Sequence, residues 1–370
     1  MKVLHFILGK ANKNRPNGVN QVVAGLCKYS SLNGEHIKVI GLASNAKIEG
    51  EIEPRDRFDV IVYSRWSLKL LNELKAQLEW CDIVHIHGIY NFHNIFVGKL
   101  ATHYSVPYVV TLHNGLSPSM AKLRKRAFDF LLQKKFLEKA SALHVLAFEE
   151  TTEILEACMP QSFIYAPNGI DLDDFPISDK SIQSQNTQNA NQSIVIGYLG
   201  RISEEKNLKS LVRALEMFDG RRDITFKIAG PASSYLTEIL SSKPNVKIDW
   251  VGPQFGKDKI SFIQSLDLFV HPSEADVFSI AAMECLAVGT PLLIARTSKA
   301  SYFYGSNGFF MCEPTAYGIY QGILSAIEER SKWDSMTKRG HELILDTFNW
   351  NSASLALIKG YKDILLEIKR

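Results

Sequence analysis

The sequence predicts two doubly wound α/β domains in tandem, on three observations. At 370 residues the chain exceeds one ordinary domain, and two of about 150–200 residues fit the usual range. Short runs rich in Val, Ile and Phe alternate with helix-length segments, the pattern of parallel strands buried on both faces. The pattern stops at a polar stretch, SDKSIQSQNTQNANQS (178–193), and then restarts.

The first run, Val3–Leu8, has one lysine before it and no small-residue cleavage site after it. It therefore reads as a strand rather than a secretory leader, and a cytoplasmic location is expected. Asn17-Gly18 closes the next loop, and Gly18 would let backbone approach a ligand at the start of the helix over Val19–Leu26. Ile37–Leu42, Val60–Tyr63 and Ile83–Ile86 supply further strands. His85 and His87 face one side of the last of these, with His93 nearby, but no carboxylate follows at metal-ligand spacing, so no metal is expected. Tyr108–Leu112 runs into His113-Asn114-Gly115, which puts His113 at the carboxyl end of a strand, where α/β sheets bind ligands.

Segment 119–139 carries seven Lys or Arg against two acids and has an apolar stripe from Met120 to Leu131. Such a helix suits an anionic lipid surface and suits equally a core-packed stripe with a solvated basic face. Ala142–Leu146 closes the first domain. In the second, Ile194–Leu199, Ile224–Ala229, Val246–Val251, Leu268–His271 and Pro291–Ala295 read as strands.

Neither first strand is followed by G-x-G-x-x-G; the sequences there are LGKANKNRPNG and LGRISEEKN. This argues against a dinucleotide, whose pyrophosphate needs that close glycine turn, and no cofactor is expected. What LGRISEEKN does offer is Gly200, Arg201, Lys206 and Asn207 at a strand's carboxyl end. Arg201 brings a forked donor and Lys206 a mobile point charge, a pair suited to a diphosphate. A solvated turn balanced by Glu204 and Glu205 is the plainer alternative.

HPSEADVFSIAAMECLAVGTP (271–291) is the most informative stretch. A short helix is expected to open at Val277, Phe278 and Ser279 and to stop at Gly289, ahead of Pro291. Asp276 at its start and Glu284 eight positions later would stand about 12 Å apart at 1.5 Å rise per residue. That span fits a sugar, a diphosphate and a ribose, with the helix N-terminus as an anion site. Glu284 lies among apolar residues and so needs a partner or a ligand.

Composition narrows the remaining classes. Hydrophobic residues are 46% and charged residues 22%, and no apolar run is long enough to span a membrane. Five widely spaced cysteines fit neither a disulfide framework nor a metal motif. A net charge of +3 without a nucleic-acid motif speaks against nucleic acid.

YLGRISEEKNLKSLVRAL (198–215), FKIAGP (226–231), APNGIDLDDF (166–175) and segment 271–291 together resemble glycosyltransferase family 4 over essentially the whole chain. The resemblance implies a GT-B fold, two Rossmann-like domains facing across a cleft, and retaining transfer from a nucleotide diphosphate sugar without an essential metal. It implies an acceptor-binding domain over 1–170, a polar linker over 171–193, a donor domain over 194–347, and a C-terminal helix over 348–370 packing back on the first domain. The family's phosphate-binding Arg and Lys match Arg201 and Lys206, and its cleft histidine matches His113. Its Glu-x7-Glu pattern matches Asp276 and Glu284, so the first member is Asp; Glu274 stands close enough to take the sugar instead. Its Gly-Gly loop is reduced here to Asn17-Gly18. Asn114, Asn168, Gly200, Phe278, Ser279 and Ile280 complete the expected substrate contacts.

HIHGIYNFHNIFVGKLA and VPYVVTLHNGL look like the branch that builds bacterial O-antigen, capsule or exopolysaccharide. The expected partners are thus a UDP- or GDP-sugar and a lipid-linked oligosaccharide at the inner face of the plasma membrane, with the basic 119–139 helix in contact with lipid. Two other readings stay open: a nucleotide-sugar epimerase of the same shape, and a catalytically silent nucleotide-sugar-binding scaffold.

Overall fold

Apolar runs of four to seven residues become the strands of two sheets in the computed structural model, which describes residues 1–12, 18–113, 132–175, 193–218, 223–242, 244–274, 276, 279–296 and 308–369. The expected linker from 176 to 192, the 119–139 helix up to residue 131, and Asn17, Asn114, Val277 and Phe278 lie outside the described residues. The chain divides into two units, Met1–Gly169 with Trp350–Arg370, and Ile170–Asn349. Among the described residues no helix is long and apolar enough to cross a membrane.

The first unit runs β1 (Lys2–Ile7), α1 (Gly18–Leu32), β2 (His36–Leu42), β3 (Glu51–Arg55), β4 (Phe58–Tyr63), α2 (Leu68–Trp80) and β5 (Ile83–His87). It continues through α3 (Phe92–His103), β6 (Tyr108–Thr111), α4 (Lys134–Glu138), β7 (Ala142–Val145), α5 (Glu149–Ala157) and β8 (Phe163–Tyr165). The sheet order is β3-β4-β2-β1-β5-β6-β7-β8, parallel except for β3 against β4. All six expected apolar runs are strands. The two additional strands lack the signature: β3 is an edge strand of half-buried and exposed residues that contains Pro54, and β8 has three residues.

The two faces of this sheet differ. Leu4, Phe6, Val84, Ile86, Val110, Leu143 and Val145 pack under α2, α3 and α4. The alternate positions face the other way and include His5, His85, His87, Thr111 and His144, all buried. Parallel register brings them together, pairing His5 with His85, His87 with Thr111, and Thr111 with His144. The final helix, Trp350–Ile368, belongs to this unit and packs on α1, where a side chain at Gly25 would run into the Trp350 indole.

The second unit runs β9 (Ile194–Leu199), α6 (Leu208–Glu216), β10 (Ile224–Ala229), α7 (Ser234–Ser241), β11 (Lys247–Gly252), α8 (Gly256–Gln264) and β12 (Leu268–His271). It ends with α9 (Ile280–Val288), β13 (Leu292–Ala295), β14 (Phe310–Cys312), α10 (Ala316–Glu328) and α11 (Trp333–Asp346), which makes the final helix α12. Its all-parallel sheet has the order β11-β10-β9-β12-β13-β14. The chain winds outward in one direction from β9 and in the other from β12. The carboxyl ends of those two neighbours are thus the switch point, where an open sheet leaves a crevice.

Candidate functional site

Both switch-point strands end in loops that are laced to each other. After β9, Gly200 takes φ +152° and donates its N–H to Ala229 O at 3.0 Å. A Cβ on Gly200 would meet the Tyr198 hydroxyl at 2.8 Å, so this position needs glycine for local reasons alone. The turn Glu204–Lys206 ends at Asn207, at φ +56°, whose side-chain amide donates to Pro272 O at 3.2 Å and Pro314 O at 2.6 Å. From the β12 side, the Ser273 hydroxyl donates to Glu205 O at 3.0 Å and Glu274 N–H to the same oxygen at 3.1 Å.

The charges follow from this lacing. Lys206 Nζ lies 2.8 Å from Asp276 Oδ2, and His271 Nε2 donates to that same oxygen at 2.9 Å. Burial alone would raise the Asp276 carboxyl, but the His271 hydrogen bond and the Lys206 charge outweigh it and hold the group well below the usual carboxylate range. Arg201 is exposed, and its guanidinium lies 3.4 Å from Glu205. Glu274 is exposed, and its carboxylate has no partner among the described residues.

The helix that follows starts later than its sequence suggests. Asp276 is not at its head: Ser279 is the N-cap, its hydroxyl accepting from Ala282 N–H at 3.2 Å, and Ile280 is the first helical residue. Asp276 precedes that cap by three residues, and its Oδ2 is held by Lys206 and His271 instead. The N–H groups of Ile280 and Ala281 have no partner among the described residues and keep the helix start available to an anion. Gly289 ends the helix at φ +82°, as expected.

Glu284 is buried and has a partner that its own segment does not reveal, Lys259 Nζ on α8 at 2.5 Å from Oε1. Burial nevertheless leaves its carboxyl raised, since the lysine's charge only partly offsets the lost hydration and Asp174 adds repulsion. Oε2 has no partner among the described residues.

In the first unit, His113 follows β6 in the left-handed region at φ +63°, with Nε2 3.1 Å from His87 Nδ1. Gly18 is exposed, and a Cβ there would meet nothing within 4 Å, so packing does not demand glycine. Asn168 is buried, and its Oδ1 has no partner among the described residues. The structure thus gathers Gly200, Arg201, Lys206, Glu274, Asp276, Ser279, Ile280 and Glu284 in the second unit. His113, Gly18 and Asn168 belong to the first.

Residues 16–174 match the model described as "Glycosyltransferase Family 4", and residues 179–343 match "Glycosyl transferases group 1". The chain is thus similar to glycosyltransferases over most of its length, one model following the other.

Individual relatives and solved structures are similar as well. It is 22% identical to the capsular polysaccharide biosynthesis glycosyltransferase CapM of Staphylococcus aureus over 49% of either chain, so it spans about half the length of that relative. It is 21% identical to the lipopolysaccharide 1,2-N-acetylglucosaminetransferase of Salmonella typhimurium, over 90% of this chain and 85% of the other. The crystal structure of Anabaena HepE in complex with UDP-glucose superposes with a TM-score of 0.78 at 18% identity, covering 98% of this chain and 100% of that one. The fold is therefore GT-B, with two parallel-sheet α/β domains.

Sequence reasoning missed several polar residues of this glycosyltransferase: His271, Lys259, His5, Thr111 and His144. The three histidines and Thr111 are polar residues in apolar strands, and that misfit is the signal that could have marked them, whereas Lys259, half-buried on α8, carries no such signal. His5, His85 and His87 bring ring nitrogens within 4.8 Å of one another, as a metal site would. Both nitrogens of His85 are committed, to Tyr361 Oη and Thr111 Oγ1, each at 2.5 Å. Those of His87 are committed to His5 and His113, so a metal would have to break existing hydrogen bonds.

Proposed function

We propose that this chain transfers a sugar from a nucleotide diphosphate sugar to a lipid-linked oligosaccharide, with retention at the anomeric carbon, in the assembly of a bacterial surface polysaccharide such as O-antigen, capsule or exopolysaccharide. The second unit binds the donor and the first binds the acceptor. One observation carries the donor assignment: the loops after β9 and β12 bring Arg201, Lys206 and the start of α9 to the switch point of the second sheet, where forked and point-charge donors and a helix N-terminus suit a diphosphate. The UDP-glucose complex of HepE and the polysaccharide relatives support the same reading.

Each side chain then has a role. The bond from C1 to the β-phosphate oxygen breaks, and the nucleoside diphosphate leaves with the electron pair. Arg201, Lys206 and the N–H groups at the start of α9 stabilise the charge that develops. The acceptor hydroxyl attacks C1 from the same face, and its proton passes to the departing phosphate oxygen. Glu274, exposed and unpaired among the described residues, is the carboxylate we assign to the sugar hydroxyls, while Asp276 orients Lys206. Glu284 Oε2 accepts from the ribose, and His113 meets substrate from the first unit. Membrane contact through segment 119–139 would bring the enzyme to its lipid acceptor.

The test is a thermal-shift screen of UDP-, GDP- and related sugars on the wild type, Arg201→Ala and Glu284→Ala. The wild type should be stabilised by one nucleotide series, and both variants should lose most of that shift. Retention of the full shift in both variants would remove the donor assignment. Isomerised sugar nucleotide without an acceptor would indicate an epimerase, and binding without turnover a silent scaffold.

A further inference from the structure

His113 is the end of a chain of three imidazoles. Its Nε2 lies 3.1 Å from His87 Nδ1, and His87 Nε2 lies 2.9 Å from His5 Nδ1. Successive rings stack, with interplanar angles of 29° and 10°. Between two neutral imidazoles one nitrogen must donate and the other accept, so the three rings share only two arrangements. In one, every ring carries its hydrogen on Nε2 and His113 offers a lone pair at Nδ1. In the other, every ring carries it on Nδ1 and His113 offers an N–H. No ring can change its tautomer alone.

We infer that His87 and His5 are positioning residues that fix the ring orientation and tautomer with which His113 meets substrate through Nδ1. The inference rests on the reading of His113 as a substrate-contacting residue. Three features support a fixed clamp. His113 holds a left-handed backbone conformation that is costly for a residue with a Cβ, so the surrounding structure sets its direction.

A second chain beside the first has an assigned direction. His144 Nε2 faces Ala166 O at 2.7 Å and must donate to it. Its Nδ1 therefore accepts from Thr111 (2.7 Å), Thr111 accepts from His85 Nε2, and His85 Nδ1 accepts from the Tyr361 hydroxyl. The His85 ring, so oriented, stacks on His87 with centroids 4.2 Å apart.

The chain also ends blindly. His5 is fully buried and its Nε2 has no partner among the described residues. Proton transfer inward from His113 would leave an imidazolium there, and burial, with His144 adding to it, pulls the His5 pKa down to about 3. The surrounding groups, Thr111, His144 and Tyr361, offer no counter-charge at neutral pH. The three histidines act as a clamp rather than a proton conduit.

The test combines kinetics with nitrogen-15 spectra of histidine-labelled full-length enzyme. UDP-glucose, UDP-N-acetylglucosamine and GDP-mannose are offered in turn with a bacterial lipid extract, and the donor that turns over is used for kcat and KM. His87→Leu should lower kcat by about tenfold or more while donor KM stays within about twofold, the pattern of a misdirected group. His87→Asn, whose amide still reaches His113 Nε2, should restore most of that loss. The wild-type spectrum should show His113 in one tautomer, and His87→Leu a mixture. Wild-type kcat in a folded His87→Leu, or mixed His113 tautomers in the wild type, overturns the clamp. If His113→Ala leaves transfer unchanged, the substrate role of His113 fails and the clamp with it. If His113→Ala loses activity and His87→Leu does not, the clamp alone fails.

Discussion

At the scale of single residues, the most instructive contrast is between two carboxylates two positions apart. Asp276 is held by Lys206 and His271, and Glu274 is exposed and unpaired among the described residues. Their substitutions should therefore separate. Glu274→Gln should leave the unfolding midpoint unchanged and lower donor turnover by about tenfold to a thousandfold, the usual range for a group acting on the transition state. Asp276→Asn should lower stability as well, by about 1–3 kcal/mol, because it leaves the Lys206 ammonium without its counter-charge. Urea denaturation beside a turnover assay distinguishes them; a stability loss confined to Glu274→Gln would reverse the two roles.

Elements were legible wherever burial was two-sided. The strands β1, β2, β4 to β7, β9, β10, β12 and β13 carry apolar runs because helices cover both faces, so period and composition both mark them, whereas β11, exposed at the sheet edge, is marked by Ile248, Trp250 and Val251 alone. β3, β8 and β14 were silent because they are short or exposed at an edge, where packing imposes little on sequence. Helix α9 was placed correctly at its end, since Gly289 has a conformational reason to be glycine. Its start was misjudged because Asp, Ser and a second acid all compete as caps, and only the Lys206 pairing shows that Asp276 is taken. Likewise, nothing in residues 271–291 could reveal Lys259, which reaches Glu284 from α8. A consequence belongs at this scale: Ser279→Ala should cost about 1 kcal/mol by removing the N-cap. An unfolding midpoint equal to wild type in urea would show that the cap contributes nothing.

For the whole molecule, the buried histidines set a limit on acid stability. Burial, the largest influence on all five, pulls His5 and His113 down to about 3 and His144 to about 4, and His85 and His87 well below the normal value. The unfolded chain protonates these rings near pH 6.5, whereas the folded chain does not until far lower pH. Their contribution is therefore fully present above about pH 6.5 and falls as pH drops, by about 1.4 kcal/mol per unit for each histidine. The urea midpoint should decline steeply from pH 6.5 to 5, before carboxylates begin to titrate. A flat profile over that window would mean that the histidines are not held neutral.

Donor binding by the second unit is open to a transfer assay with radiolabelled UDP- and GDP-sugars and a bacterial lipid extract, comparing wild type with Lys206→Ala and reading the anomeric configuration of the product. A donor site there puts label in the lipid fraction with the donor's own configuration, reduced at least about a hundredfold in Lys206→Ala. Inverted product, or full transfer by Lys206→Ala, would rule it out.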